Sequence, residues 1–481
     1  MLYGRRVESG MPTPRGRIGM VRVSALGAVL AVAAACSDSG PANDIAALPG
    51  NHYVLTQLVG SGDDSGAVLT VDELSQAWGL AARPGGHFWV GAGGTAFPFA
   101  GDVRAAADTA LQRLFQDSFT AVDIPGADAE TSEQSAGKIT GVIANHAPVH
   151  SDLFVVRDQP VPLPGVPPLL LTGSARHILA TDSGTLSAWT ELAHDGAIVR
   201  HDGPASLVFD GAAQGMSFSG LAIAPSGDAL LVADFGAEPQ VRTFDKNWQL
   251  VPTTGFVNPF ASGDEIDPDK PELGRQVLPG DPAPYNVTTI GDRVFVSYAI
   301  TQPVADDEVP GTVSTPGNGA EDAAGAGEQQ GGAEGEDAGD ALRFESGAPD
   351  VLDTAAEEAS GDRPGKGKLV EYAADGTLVR IIDDAGRLNA PSAVAISPST
   401  FGPLSGKLLV GNTAGAGRIL AFDDATGEFV DYVRDASGAP LAVDGLRDFE
   451  FGDGVTVGDS DTLYLTAAGE DDSHLSSLRL K

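Results

Sequence analysis

Short apolar runs separated by turns rich in Gly, Asp and Ser recur along the chain from Asn51 onward. In each repeat a small residue leads into a Gly-Leu-Ala-like strand, and a second apolar strand follows after a turn. Apolar runs of this length bounded by turn residues predict β-strands. The six strand pairs are Trp78-Gly79-Leu80-Ala81 with Phe88 to Gly91, Thr140 to Ile143 with Leu153 to Val156, Ser219 to Ala222 with Leu230 to Asp234, Tyr285 to Val287 with Val294 to Tyr298, Ser392 to Ala395 with Leu408 to Asn412, and Asp444 to Leu446 with Leu463 to Thr466.

Two of these units continue into a third and a fourth strand. Val241 to Asp245 is followed by Trp248 to Val251, and Arg418 to Asp423 is followed by Glu428 to Val430. Strand–turn–strand repeats of roughly 40 to 50 residues are typical of propeller blades. We therefore predict an all-β fold, a six-bladed β-propeller over residues 51–481.

The segment Tyr53 to Val59 alternates in side-chain character as a strand does, with Tyr53, Leu55 and Gln57 on one side. A propeller ring that stays open exposes two sheet edges. We therefore predict that this N-terminal strand closes the ring beside Leu463 to Ala467.

One interval between the repeats, from residue 286 to residue 393, is far longer than the others. It contains residues 301–366, with 16 acidic and 3 basic side chains and Gly-, Ala- and Glu-rich runs. A segment with so few aromatic and β-branched residues cannot offset its ordering entropy. We predict a long disordered acidic insertion within one blade. A calcium-attracting or partner-binding role is the alternative to a tolerated solvated loop, since long surface loops cost little.

Charge narrows the possible partners. The 481 residues include 29 Lys and Arg against 66 Asp and Glu, so the net charge is −37. Nucleic-acid binding depends on neutralising phosphates with basic side chains, so we expect no nucleic-acid partner. The single cysteine excludes an internal disulfide framework and a zinc-ribbon or iron–sulfur site.

That cysteine ends a segment with the features of an export signal. Arg15, Arg17 and Arg22 precede the uncharged apolar run from Val23 to Ala35, and Cys36 follows directly. The run is too short for a permanent membrane span and suits a signal-peptide core. We predict that residues 1–36 are a signal peptide with a lipoprotein-type cysteine and that Cys36 is lipidated.

This interpretation makes residues 37–50 a flexible tether and the protein an exported lipoprotein of the cell envelope, on its periplasmic or cell-surface side. It would meet the membrane only through its lipid anchor. An ordinary secretory signal with a chance cysteine remains the alternative, and Met20 is an alternative start.

From Asn51 to the C-terminus the sequence resembles a family of uncharacterised secreted bacterial β-propeller proteins, distantly like NHL-repeat propellers. The resemblance rests on residues 51–59, 78–81, 179–189, 388–402 and 406–412, and on 444–446 and 463–467. It implies a propeller and no particular activity. The chain departs from the family where a Trp is expected, with Ser392 after Pro391 and Arg447 after Leu446. If those aromatic residues line a ligand site in relatives, the site is altered here.

Five side chains near the predicted strand ends could face a central channel. They are Asp182, Asp234, Asn286, Asn412 and Asp444. Carboxylate and amide oxygens suit a divalent cation such as calcium. Asp and Asn are also favoured in turns because they hydrogen-bond to nearby backbone groups, which is the competing interpretation.

These observations leave two functions open. The first is a monomeric, non-enzymatic scaffold that binds a protein or a small-molecule ligand. The second is a metal-dependent hydrolase of the gluconolactonase type. No Gly-x-Ser-x-Gly elbow and no nucleotide-binding fingerprint occurs in the sequence, which removes the common hydrolase and nucleotide signatures.

Overall fold

A computed structural model describes residues 45–62, 66–116, 119–125, 137–163, 166–194, 197–264, 266, 274–300, 366–469 and 473–481. The chain divides into two units, Met1–Asp38 and Ser39–Lys481, and every described residue lies in the second. The predicted signal peptide, most of the tether and residues 301–365 lie outside the described residues. Within the described part the chain forms β-strands and three short 3₁₀ helices, Thr109–Gln112, Ala212–Gln214 and Gly402–Leu404.

Six sheets form the six blades of a β-propeller, which confirms the predicted fold class. Blade 1 consists of β3 (Ala77–Ala82), β4 (Phe88–Ala92), β5 (Thr95–Phe99) and β6 (Val122–Asp123). Blade 2 consists of β7 (Ile139–Ala144), β10 (His177–Thr181), β11 (Thr185–Trp189) and β14 (Ser206–Asp210). Blade 3 consists of β15 (Phe218–Ile223), β16 (Ala229–Asp234), β17 (Gln240–Asp245) and β18 (Leu250–Val251).

Blades 4 and 5 have the same four-stranded order. Blade 4 consists of β19 (Pro282–Ile290), β20 (Arg293–Ile300), β21 (Gly367–Ala373) and β22 (Leu378–Ile381). Blade 5 consists of β23 (Pro391–Ile396), β24 (Lys407–Asn412), β25 (Ile419–Asp423) and β26 (Phe429–Tyr432). Because Ala299 and Gly367 are paired across β20 and β21, residues 301–366 form an insertion between two adjacent strands of blade 4.

Blade 6 joins the two ends of the propeller. It contains β27 (Leu446–Phe451), β28 (Leu463–Ala468), β29 (Ser473–Leu480), β1 (Tyr53–Gly60) and β2 (Leu69–Thr70). The N-terminal strand β1 pairs antiparallel with β29, and β29 pairs with β28. The predicted ring closure is therefore confirmed, although the direct partner of β1 is β29 and not the strand at Leu463 to Ala467.

A β-bulge in β1 places the two ends of this strand at different interfaces between blades. The register with β29 shifts between Gln57 and Val59, so the alternation predicted from sequence holds only for the first half of the strand. Tyr53 packs in the apolar cluster between blades 5 and 6, whereas Leu58 and Val59 pack between blades 6 and 1. The closing strand thus contributes to two interfaces at once. Leu48, which lies within the predicted tether, packs on the first of these clusters.

The second strand of blade 2 was predicted wrongly. Leu153 to Val156 was expected to pair with Thr140 to Ile143, but β7 pairs with β10, which begins at His177. The intervening residues form an inserted hairpin, β8 (Val155–Leu163) with β9 (Val166–Ser174), and a shorter one, β12 (Leu192–His194) with β13 (Ala197–Val199), follows β11. An apolar run predicts a strand but does not say which strand it pairs with.

Candidate functional site

The first strand of every blade lies at the centre, where β3, β7, β15, β19, β23 and β27 contact one another in a closed ring. Together they enclose a channel of about 720 Å³. We call the face where these inner strands begin the upper face, and the face where they end the lower face. The residues that line the channel are of both kinds, apolar ones such as Leu80, Val142 and Val287 and polar ones such as Thr140, Asn145, Thr288 and Thr289.

Each inner strand carries a β-bulge near its start, and the bulged residues lie at one level of the channel. They are Trp78, Thr140, Ser219, Tyr285, Ser392 and Arg447. A bulge inserts one extra residue and redirects the side chains that follow it. Ser392 and Arg447, where relatives are expected to carry Trp, therefore occupy the same level as Trp78.

Side chains at this level close the upper end of the channel. Trp78 from blade 1 and Tyr285 from the opposite blade 4 meet edge to face across the axis, with ring centroids 6.4 Å apart. The Arg447 guanidinium lies over the Trp78 ring, 4.2 Å from its centroid, in cation–π geometry. We call Trp78, Tyr285 and Arg447 the channel plug. It leaves the channel accessible from the lower face, where His146 is exposed at the mouth.

The residue after each bulge points toward the next blade, and its size sets how closely the blades approach. In blade 3 this residue is Gly220, where an added Cβ would lie 1.8 Å from Asn286 Oδ1. In blade 4 it is Asn286, which donates from Nδ2 to the Ser392 carbonyl oxygen at 2.7 Å. The glycines predicted from the Gly-Leu-Ala pattern are therefore required for close packing of inner strands.

In blade 6 the equivalent residue is Asp448, and it forms a carboxyl pair with Glu450. Asp448 Oδ2 accepts a hydrogen bond from Leu80 N at 2.9 Å, and Glu450 Oε2 accepts one from Ala82 N at 2.6 Å. Asp448 Oδ1 accepts from Phe449 N at 2.8 Å. The two carboxyl groups thus bind backbone N–H groups of β3, and both line the channel.

The pKa values of this carboxyl pair are raised. Burial in the channel wall raises the pKa of Asp448 to about 7, although hydrogen bonds from the Leu80 and Phe449 N–H groups lower it in part. Burial also raises the pKa of Glu450 to about 8, and the charge of Asp448 adds to that rise. Loss of water around a carboxylate disfavours its ionised form. Near neutral pH the pair therefore holds a proton that ordinary surface carboxyls have lost.

Three of the predicted cation ligands hold the end of a blade's second strand to the segment that enters its inner strand. Asp182 Oδ1 accepts from Lys138 N at 2.7 Å, and Asp234 Oδ1 accepts from Ser217 N at 3.0 Å. Asn412 Oδ1 accepts from Asn389 N at 3.0 Å. Burial raises the pKa of both Asp182 and Asp234. These side chains act as turn caps in three different blades.

The structure does not bring the five candidates together. Asn286 lines the channel, whereas Asp444 is exposed in the turn before β27. Among the residues that the structure describes, no group of three His, Cys, Asp or Glu side chains is arranged to hold a metal ion. The competing interpretation as turn formers accounts for the hydrogen bonds of Asp182, Asp234 and Asn412.

Sequence analysis missed Asp448 and Glu450 because it took Asp444-Gly445-Leu446 as the last Gly-Leu-Ala repeat. The structural counterpart is Arg447-Asp448-Phe449, three residues further on. The alternation Asp448-Phe449-Glu450-Phe451 was the available signal, since a period of two places both carboxyls on one side of a strand.

The fold and channel define a six-bladed β-propeller with one plugged end. No family model matches the chain. It is 31% identical over 230 residues to the uncharacterized protein R648 of Acanthamoeba polyphaga mimivirus, covering 48% of this chain and 40% of that protein. It is 24% identical over 274 residues to the uncharacterized protein R640 of the same virus, covering 57% and 37%. The chain thus spans less than half the length of these curated relatives, which come from a virus, whereas the predicted resemblance was to secreted bacterial proteins.

Solved structures were compared as well. A structural genomics protein of unknown function from Bacteroides thetaiotaomicron matches with a TM-score of 0.43 and 8% identity, covering 89% of this chain and 76% of that one. A gluconolactonase from Xanthomonas campestris matches with a TM-score of 0.31 and 14% identity, covering 63% and 82%.

Within the described residues, no helix has the length and apolar character needed to cross a membrane.

Proposed function

We propose that this protein is an exported, lipid-anchored propeller that binds a small ligand in its central channel. The observation that carries the binding proposal is the carboxyl pair Asp448 and Glu450 in the wall of a channel closed at one end. A cavity of about 720 Å³ has the size of typical small-molecule sites, which pair apolar walls with a few polar groups.

The contacts of the carboxyl pair favour binding over catalysis by a metal. Both oxygens of Asp448 and one oxygen of Glu450 accept backbone hydrogen bonds. The remaining oxygen, Glu450 Oε1, accepts no hydrogen bond from the described residues. The pair therefore offers a ligand one well-placed polar contact, in a wall that combines apolar and polar residues. We expect a ligand with both apolar surface and at least one hydrogen-bonding group.

Filling the channel should abolish ligand binding. Thr288 lies on β19 and lines the channel, so Thr288→Trp would occupy space that a ligand needs. The probe is Nile red, a neutral apolar dye whose fluorescence rises on transfer from water. We expect saturable binding to the wild type and at least about tenfold weaker binding to the variant, the loss of about 1.4 kcal/mol of binding free energy.

Val379→Trp is the matched control, because it adds an indole to an exposed position on β22 of the same blade. It should bind Nile red as the wild type does. Circular dichroism shows whether each variant is folded. Equal affinity of folded Thr288→Trp and wild type would overturn the channel as the binding site.

The anchor proposal rests on Cys36, the only thiol in the chain. We expect Cys36→Ser to abolish lipidation and to leave an uncleaved precursor. Two or more acyl chains are needed for lasting membrane attachment, and an acidic domain gains no help from anionic headgroups. The measurement is incorporation of radiolabelled palmitate in a bacterial host.

A double variant, Cys36→Ser with Ser39→Cys, keeps one thiol three residues away and controls for thiol content. It should take up no label. If the wild type and Cys36→Ser incorporate palmitate equally, the protein is not anchored through this cysteine.

A further inference from the structure

A group of basic side chains lies on the lower face where blades 1 and 2 meet. Arg83 follows the end of β3, His146 follows the end of β7, and Arg176 and His177 stand at the start of β10. We call these four residues the basic cluster. His146 also lines the mouth of the channel. The cluster is notable because the whole chain has a net charge of −37.

Glu191 is the carboxylate that pairs with arginine side chains in this region. Arg83 Nη1 lies 3.0 Å from Glu191 Oε1, and Arg200 Nε lies 3.7 Å from Glu191 Oε2. Arg176 is buried and donates to backbone carbonyls, from Nη2 to Ala147 O at 2.5 Å and from Nε to Ser174 O at 3.5 Å. Two guanidinium groups therefore pair with a single carboxylate, and Arg176 forms no ion pair with a carboxylate among the described residues.

His177 gives a second, independent observation. Its ring is only 2% exposed, and neither ring nitrogen has a hydrogen-bond partner. The ring stacks on Trp89 with centroids 3.9 Å apart and an angle of 15° between the planes. Buried polar groups are normally hydrogen-bonded, so an imidazole with two unpartnered nitrogens calls for an explanation.

The protonation of the histidines agrees with uncompensated positive charge. Burial lowers the pKa of His177 well below its usual value, and the charges of Arg83 and Arg176 lower it further. Burial also lowers the pKa of His146, again with contributions from Arg83 and Arg176. Like charges that crowd one another disfavour further protonation. A bound anion would relieve this repulsion.

We propose that the basic cluster binds the carboxylate group of a small organic anion, beside the lower mouth of the channel. Arg83 and Arg176 would supply the positive charge, with His146 at the solvent edge. Guanidinium groups match carboxylates in planarity and donor spacing, and Arg83 Nη1 already pairs with one oxygen of the Glu191 carboxylate. This site is distinct from the carboxyl pair and does not depend on the channel as a binding site.

The test measures binding of succinate to the folded mature protein by calorimetry, with inorganic phosphate as a second probe. We expect succinate to bind and Arg83→Gln to weaken it about tenfold or more, since a charge-assisted contact is lost. Arg242→Gln is the matched control, because Arg242 also pairs with a buried carboxylate, Asp234, but lies in blade 3. It should leave the affinity unchanged.

A spectroscopic measurement separates binding at the cluster from binding elsewhere. Saturating succinate should raise the pH at which His146 titrates in NMR spectra, and His146→Gln identifies its resonance. The proposal is overturned if succinate does not bind, if Arg83→Gln and Arg242→Gln have equal effects, or if His146 does not respond. Binding of phosphate without succinate would likewise overturn the assignment to a carboxylate.

Discussion

Removal of the closing strand, residues 51–59, is expected to destroy the cooperative fold, whereas removal of residues 301–366 should lower the melting temperature by only a few degrees. Tyr53, Leu58 and Val59 are fully buried at the two interfaces of blade 6. Each buried side chain of this kind contributes about 1.5–3 kcal/mol. Their combined loss is comparable to the net stability of a typical domain, about 5–15 kcal/mol.

Polar contacts add to this cost. Asn51 Nδ2 donates to Asp431 Oδ2 and to Tyr432 O, both at 2.8 Å, and the Tyr53 hydroxyl donates to Phe401 O at 2.5 Å. Asp431 is fully buried and pairs with Arg434. Deleting residues 51–59 therefore removes a hydrogen-bond donor to a buried carboxylate and also exposes the whole edge of β29.

The second deletion is the control. Ala299 and Gly367 face each other across β20 and β21, so a short Gly-Ser turn can replace residues 301–366 without moving either strand. Thermal unfolding followed by circular dichroism compares the two proteins. Tyr53→Phe keeps the ring but loses the hydroxyl contact, and it should cost about 1 kcal/mol. Equal melting temperatures for the two deletions would contradict closure by β1.

The repeated pattern predicted the fold because each blade must bury its own apolar strands. Four of the six predicted strand pairs are adjacent as predicted, among them β15 with β16 and β23 with β24, and the sixth is displaced, because β27 begins only at Leu446, which pairs with Ala467. The strand pair predicted for blade 2 was wrong because Leu153 to Val156 begins an inserted hairpin. The local apolar character of a strand is the same in a hairpin as in a blade. The middle strand of blade 6, β29, escaped notice because it carries buried polar side chains, such as Ser476 and Ser477, in place of an apolar run.

The site was less predictable than the fold. The candidates Asp182, Asp234 and Asn412 were chosen because acidic and amide residues follow strands, and that is also where turns need caps. The channel plug depends on Trp78 and Tyr285 meeting from opposite blades, more than 200 residues apart in sequence. The register of the bulges, which aligns Arg447 with Trp78, follows from pairing between strands and cannot be seen in one segment alone.

The carboxyl pair gives the protein an unusual dependence on pH. The ordinary pKa values of 3.8 for Asp and 4.5 for Glu apply in the unfolded chain, whereas those in the folded protein are about 7 for Asp448 and about 8 for Glu450. Between these values the folded state binds more protons than the unfolded state, so stability falls as pH rises. The contribution of the pair is fully present below about pH 4 and is lost as pH rises through 8.

Glu450→Gln should therefore be more stable than the wild type at pH 8.5 and about equally stable at pH 5. The amide keeps an oxygen that can accept from Ala82 N, and it cannot ionise. Since one pKa unit corresponds to about 1.4 kcal/mol, the full shift gives an upper bound, and the partial exposure of Glu450 reduces the expected gain to roughly 2 kcal/mol. Asp448→Asn does not test the same effect, because both Asp448 oxygens accept backbone hydrogen bonds and an amide NH2 group cannot accept one. Urea unfolding across this pH range measures the difference.

Glu371→Gln is a control for which we expect a change in stability of the opposite sign. Burial raises the pKa of Glu371, but hydrogen bonds from Arg293 and Arg380, each 2.8 Å long, outweigh it and leave the pKa lowered. Its ionised form stabilises the fold, so neutralising Glu371 should destabilise the protein at pH 8.5, where neutralising Glu450 should stabilise it. If Glu450→Gln instead loses stability at pH 8.5 as Glu371→Gln does, the Glu450 carboxylate is stabilised in the folded state. The channel wall would then be a far more polar environment than the raised pKa of Glu450 implies.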